Sequence, residues 1–298
     1  MSGRPLPYIG SRDDWEGGSV TQSAVCVLAH NAGAWTLDGT NTWLLHVPDT
    51  SKCIVIDPGP DEKSHFKAIL AAARLRDCEV GAVILTHGHS DHSAGAKSLA
   101  ELTKTKVRAL DPKFQLGDEG LADGDVITIG ETELRVLATP GHSLDSMSFL
   151  LPHDGTLLTG DTVLGRGTAV ITMPDGDLGA YFESLERLKE QVATHNVSWL
   201  LPGHGPALSG PNDILNSYVE HRIARLAEVR EVVKAGAVTS TDVLDIVYAD
   251  TPEKLKGAAR QSVKAQLAYL MHLGEFTTDE DLTSPLAETL DVKDENLA

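Results

Sequence analysis

Between residues 24 and 57 the chain alternates short apolar, β-branched runs with polar turns: residues 24 to 28 (AVCVL), 42 to 47 (TWLLHV) and 53 to 57 (CIVID). Runs of this length and composition predict successive strands. The period then lengthens. Residues 64 to 76 and 93 to 103 carry apolar side chains at helical spacing, and residues 82 to 85 (AVIL) between them predict a buried strand. Strands are predicted again at 126 to 129, 133 to 138, 147 to 151 and 156 to 159, then a helix over 178 to 192 and a strand over 198 to 201. Such interleaving predicts an α/β fold in which sheets are covered by helices. The cluster Pro202, Gly203, Gly205, Pro206, Gly210 and Pro211 closes this region. Beyond it the pattern is helical to about residue 276: a helix over 214 to 235, a segment capped by Thr239, Ser240 or Thr241 running to Val247, a helix over 252 to 272, and a short hairpin near Gly274. Three helices in that order fit a winged-helix-like module. The expected organisation is a loose N-terminal segment (1–20), a large α/β domain (21–212), a winged-helix-like domain (213–276) and a mobile acidic tail (277–298).

Composition narrows the possible functions. No stretch of the 298 residues approaches the roughly 20 apolar positions of a membrane span, and the N-terminus has no apolar signal core, so cytoplasmic residence is expected. Cys26, Cys53 and Cys78 are odd in number and lack a Cys-x-x-Cys spacing, which marks them as incidental thiols. A net charge of -18 argues against a protein that coats nucleic acid nonspecifically.

The chemistry concentrates in Leu85-Thr86-His87-Gly88-His89-Ser90-Asp91-His92, which follows an apolar strand and opens a helix. A loop at a strand end displays its side chains, and this one can present several nitrogen and oxygen donors in converging directions. The segment resembles the hallmark loop of the metallo-β-lactamase superfamily. Further matches follow in order: Thr139-Pro140-Gly141-His142, Thr159-Gly160-Asp161 and Leu201-Pro202-Gly203-His204-Gly205. The resemblance implies an αββα sandwich, two packed mixed sheets with helices outside, in which His87, His89 and His142 hold one metal, Asp91, His92 and His204 hold a second, and Asp161 bridges them. Gly39-Thr40-Asn41-Thr42-Trp43, Gly160 to Gly165, Tyr218-Val219-Glu220-His221-Arg222 and Thr251-Pro252-Glu253 resemble the lactamase-β-2-like branch, which adds a C-terminal winged helix. One departure is Ser143, where relatives commonly have Thr. The absence of glutamate at His89 and of cysteine at Asp161 sets the chain apart from the di-iron oxygen reductases and the antibiotic-hydrolysing enzymes of that fold.

Imidazole and carboxylate donors suit two Zn2+ ions per chain, with iron or manganese not excluded. Two cations about 3.5 to 4 Å apart can share a water and offer a bridging hydroxide to a carbonyl carbon or a phosphorus. Asp91 is the candidate catalytic residue, handling the proton of the attack. Asp57 either orients a ligand histidine or caps a turn with Pro58. Thr40 and Asn41 either contact substrate or form an ordinary turn. Lys256, Arg260 and Lys264 share one helix face, which either follows a phosphate backbone or is simply solvated. His30, His46, His65, His153, His195, His221 and His272 are expected to have no metal role. The leading expectation is hydrolysis of an ester or thioester of a small-molecule or carrier-bound acyl substrate. Alternatives are a single-strand endoribonuclease, with RNA as partner, a mononuclear iron persulfide dioxygenase, and a non-catalytic metal-dependent binding protein.

Overall fold

The computed structural model describes residues 14–275 except 48, 49 and 238. The hairpin expected beyond Gly274 and the acidic tail at 277–298 lie outside the described residues. The first six-stranded sheet places β1 (Gly18–Ser19), β2 (Ala24–Leu28), β3 (Asn41–Leu45), β4 (Lys52–Ile56), β5 (Glu79–Ile84) and β6 (Val107–Arg108) side by side in chain order. The second contains β7 (Val126–Ile129), β8 (Thr132–Ala138), β9 (Met147–Leu151), β10 (Thr156–Gly160), β11 (Trp199–Pro202) and β12 (Leu208–Ser209). Helices α1 (Lys63–Arg74) and α3 (Ala96–Thr103), with the single turn α2 (Ser90–Ser93) before α3, lie along the first sheet. Helix α4 (Leu178–His195) covers the second, and α5 (Pro211–Lys234), α6 (Ser240–Val247) and α7 (Lys256–His272) pack onto it.

The strands that read as unbroken apolar runs are buried on both faces. In β4, Ile54 and Ile56 pack between the sheets while Cys53 and Val55 pack against α1 and α3. In β9, Met147, Phe149 and Leu151 face the first sheet and Leu150 faces α4. With a side-chain period of two, two covered faces remove the polar alternation that an exposed face would leave in the sequence. The expected sandwich of two sheets with outer helices is what the chain forms.

Topology also gathers the functional loops. β4 and β5 are parallel and β3 is antiparallel to β4, so the start of β3 lies beside the ends of β4 and β5. In the second sheet β8 and β10 are both antiparallel to β9, and β11 runs parallel to β10, so their C-terminal ends share one edge. The loops after β4, β5, β8, β10 and β11 all open there.

Two expectations change. The N-terminal segment is not loose through residue 20, because Trp15 is buried, its Nε1–H donates to Asn41 Oδ1 at 2.7 Å, and β1 pairs with β2. The boundary near 212 falls at the start of α5, and one apolar cluster runs across it, joining Leu157 and Leu200 of the second sheet, Leu185 and Leu188 of α4, Leu215 of α5 and Leu267 of α7. Polar contacts reinforce that join. The buried Tyr218 of α5 accepts the Leu164 N–H at 2.8 Å, and its hydroxyl faces the carbonyl oxygens of Leu164 and Gly167 at 3.1 and 3.0 Å. Tyr218→Phe strands that N–H in the interior. A loss of about 1 to 3 kcal/mol is expected, read as a lower denaturant midpoint with an unchanged m-value.

Candidate metal centre

Each histidine of the centre is aimed by what its outer ring nitrogen touches. Thr86 Oγ1 donates its single proton to Asp57 Oδ2 at 2.6 Å, so it accepts from His87 Nδ1–H at 2.9 Å. His92 Nδ1–H donates to Asp57 Oδ2 (2.9 Å), His142 Nδ1–H to Val170 O (2.8 Å) and His204 Nδ1–H to Gly39 O (3.1 Å). His89 is reversed, with Nε2–H donating to Asp175 Oδ2 at 3.0 Å and Nδ1 turned inward. These partners fix every tautomer so that five ring nitrogens bearing lone pairs meet in one place.

The inward atoms are crowded. His89 Nδ1 lies 2.9 Å from His87 Nε2 and 3.1 Å from His142 Nε2, and His92 Nε2 lies 3.2 Å from His204 Nε2. Asp161 straddles both groups. Its Oδ1 is 3.6 Å from His92, while its Oδ2 is 3.7 Å from His142 and 3.4 Å from His204. Asp91 Oδ2 sits 3.1 Å from His204 Nε2 and 3.4 Å from His92 Nε2. Donor atoms of His87, His89 and His142, of His87, His92 and Asp161, and of Asp91, His92 and His204 each lie within 4.8 Å of one another. Lone pairs facing lone pairs are repulsive unless a cation or proton sits between them, and Asp161 Oδ1 is buried with no hydrogen-bond partner among the described residues. The donor set therefore fits divalent metal.

The local electrostatics say the same. Burial depresses His87 well below its ordinary value, and the charge on His92 deepens the effect. Burial alone would also depress His92, but Asp161, Asp57 and Asp91 overcome it and hold its proton well above the usual histidine range. His204 is likewise raised, against burial, to about 9, by Asp161 and Asp91. Asp91 is lowered to about 2 because His92 and His204 outweigh its burial.

The backbone is shaped for this packing. Asp57 adopts φ +51, which lets its carboxylate accept the Thr86 N–H (2.7 Å) and hydroxyl as well as His92. Thr42 Oγ1 donates to Asp57 O at 2.7 Å and so accepts from His65 Nε2–H at 2.8 Å, which locks the turn from behind. A Cβ on Gly203 would lie 2.3 Å from Asp161 Oδ1, so only glycine lets this turn approach the carboxylate.

Thr40 and Asn41, considered as substrate contacts, are fully buried and hold the metal centre from outside. Asn41 Nδ2 donates to Pro202 O (2.9 Å) and Gly205 O (2.7 Å), its Oδ1 accepts from Trp15 and Cys26, and Thr40 bridges His204 through the backbone. Both side-chain N–H donors of Asn41 thus clamp the turn bearing His204, while its oxygen ties Trp15 and Cys26 to the same residue. Ser143 keeps its hydroxyl occupied with Asp145 and Ser146.

The centre opens onto a cavity of about 680 Å³ whose far wall is built by the C-terminal helices. Helix α7 lines it with Leu255 just before it, then Ala258, Ala259, Ser262 and Gln266. Lys256, Arg260 and Lys264 are not on that wall. Lys264 is buried and Lys256 pairs with Glu253 at 3.0 Å, so the three do not form one solvated basic face. His221, expected to have no metal role, lines the cavity, and Asp175, which no local pattern marked, orients His89 from 86 positions away.

Residues 35–204 match the metallo-beta-lactamase superfamily, and residues 239–281 match the beta-lactamase associated winged helix domain. This chain belongs to the metallo-β-lactamase superfamily. It is 34% identical over 254 residues to the beta-lactamase-like protein 2 homolog of Caenorhabditis elegans, covering 82% of each chain. It is 31% identical over 252 residues to the atrochrysone carboxyl ACP thioesterase of Aspergillus chevalieri, covering 80% of this chain and 78% of that one. A solved metallo-beta-lactamase family protein from Thermus thermophilus superposes with a TM-score of 0.70 at 18% identity, over 86% of this chain and 95% of that one. The chain is a metal-dependent hydrolase, and no helix among its described residues is long and apolar enough to cross a membrane.

Two outcomes are expected. Cation binding must displace the protons on His92 and His204, so calorimetry in buffers of different ionisation enthalpy should register net proton release, with affinity falling as pH drops below about 9. His65 is lowered to about 4, chiefly by burial and secondarily by His30. Below the unfolded value of about 6.5 the unfolded chain binds a proton that the native state refuses until about pH 4. Stability should therefore fall between those values, and the fall should be shallower in His65→Gln.

Proposed function

We propose that this chain is a dinuclear zinc hydrolase that cleaves an ester or thioester of a small-molecule or carrier-bound acyl substrate. The observation that carries this reading is Asp161, whose Oδ2 lies 3.7 Å from His142 of one histidine group and 3.4 Å from His204 of the other, at the mouth of a cavity large enough for an acyl chain. His87, His89 and His142 would hold one ion, and Asp91, His92 and His204 the other, with Asp161 between them. Bound there, divalent cations lower the pKa of water and polarise a carbonyl oxygen.

The chain's own residues supply the rest. Asp91 is ionised, and its side chain is 28% exposed where that of Asp161 is 9%, so it is the more accessible of the two carboxylates that line the cavity. It accepts the hydrogen of the attacking water and passes it to the leaving sulfur or oxygen. Trp35, Leu37, Leu164, Val170 and Leu255 give the cavity an apolar lining suited to an acyl chain. The relative named as an ACP thioesterase supports a carrier-bound substrate. The endoribonuclease alternative relied on Lys256, Arg260 and Lys264, which do not line this cavity.

The test combines metal quantification with turnover of an acyl thioester and of a labelled single-stranded RNA, with and without chelator. Two zinc ions per chain and chelator-sensitive thioester turnover are expected. Chelator-sensitive RNA cutting with an inert thioester would overturn the proposal, as would iron with thiol-dependent oxygen uptake. Asp91→Asn should lower kcat by about 10² to 10⁴ with the fold intact.

A further inference from the structure

The cavity carries a charge that the metal centre does not explain. Its lining includes Arg166 from the loop after β10 and His221, Arg222 and Arg225 from α5. Among the described residues, the carboxylates lining it are Asp91 and Asp161 alone, in a chain of net charge -18. Arg166 pairs with Asp38 at 2.6 Å and Arg225 with Glu228 at 2.7 Å. Arg222 has no such partner. It is 5% exposed, no carboxylate among the described residues lies within ion-pair distance, and its contacts are a hydrogen bond from Nη2 to Ala169 O and the Tyr181 ring, 4.8 Å below the guanidinium. Its Nε is buried without a hydrogen-bond partner, and so is Nδ1 of the adjacent His221.

A buried guanidinium lacking a counter-ion is costly, and each unmade hydrogen bond adds to the cost. Two such atoms sit on consecutive residues that both line one cavity, which marks a place that a ligand completes. That ligand must bring negative charge and acceptor oxygens, since Arg222 offers only N–H donors. His221 is lowered to about 4 by burial and by Arg222 and Arg225, so near neutral pH it is an uncharged donor or acceptor beside the cation.

We propose that Arg222 and His221 form a specificity subsite that takes an anionic oxygen group, carboxylate or phosphate, carried by the substrate away from its scissile bond. This rests on the hydrolase reading above and deepens it. A carboxylate would end the acyl part, and a phosphate would end the thiol part. Arg222 supplies the charge and N–H donors, and His221 supplies an uncharged polar ring beside it.

The experiment compares kcat/KM of the zinc-loaded full chain on N-acetylcysteamine thioesters of butyrate and succinate, and on butyryl thioesters of pantetheine and 4′-phosphopantetheine. One anionic substrate should exceed its neutral counterpart by about tenfold or more, mainly through KM, and the pair that shows it names the source of the anion. Arg222→Gln should erase that preference, lowering kcat/KM on the anionic substrate by about tenfold more than on its neutral counterpart. Equal handling of both pairs by the wild type, or an equal fall on neutral and anionic substrates in Arg222→Gln, overturns the subsite and leaves Arg222 as a strut to Ala169. If Arg222→Gln does not fold, Arg222→Lys and His221→Phe decide: a reduced preference in either supports the subsite, and an intact preference in both overturns it. If no thioester is hydrolysed, the acyl reading fails by itself, and calorimetry with succinate and with 4′-phosphopantetheine still decides. Saturable binding weakened by Arg222→Gln supports the subsite, and no binding of either overturns it.

Discussion

Five imidazole nitrogens and two carboxylates are forced to within a few ångströms of one another at the shared edge of two sheets, and much of the surrounding structure exists to hold them there. Left alone, such a cluster would spring apart or fill with protons. Its geometry survives because the outer nitrogen of four of the five histidines is tied to something rigid: a carbonyl of the loop after β10, a carbonyl of the turn before β3, or the Asp57 and Thr86 pair at the ends of β4 and β5; the fifth, His89, is held by the exposed Asp175. The rigidity of those anchors comes from the sandwich core. The centre is thus preorganised by backbone and by buried strand ends, which is where precise metal geometry is most easily sustained.

Asp57 shows how far one residue's influence extends. It takes a left-handed backbone conformation, receives His92 and Thr86, and through Thr86 sets the tautomer of His87. One carboxylate thereby orients histidines of both groups. The turn it sits in is closed from behind by the Thr42 hydroxyl and by His65, neither of which reaches the metal centre. Burial keeps His65 neutral, and of its two neutral tautomers only the Nε2–H form completes the bond that Thr42 leaves open.

Much of this was legible along the chain. The apolar runs located nine of the strands to within a few residues, and the loop from His87 to His92 could be read for its donors, because both signals are local. The two-residue strands β1, β6 and β12 were missed, since pairs of residues have no period. Asp175 was missed for a different reason: its partner lies across the fold, and an aspartate between Pro174 and Gly176 reads as a turn. Thr40 and Asn41 were noticed as polar residues before a strand, but their role as a clamp depends on the turn at 202–205 folding over them. Lys264 shares a helical face with Lys256 and Arg260 by spacing, yet the face it occupies is decided by how α7 packs on α4 and α5, which spacing does not encode.

The C-terminal helices matter to the chemistry because they are not a separate body. Their apolar residues merge with those of α4 and the second sheet, so α5 and α7 are fixed relative to the metal centre rather than tethered to it. A wall that cannot drift can set the length and shape of what fits between itself and the metal. It can also hold charge where solvent would otherwise screen it, and a buried cation selects among substrates more sharply than one on the surface. The acidity of the whole chain sharpens this further. A net charge of -18 disfavours the approach of an anion, so an anionic substrate gains attraction in the cavity, where arginine side chains from α5 and from the loop after β10 line the same space as the metal-binding residues.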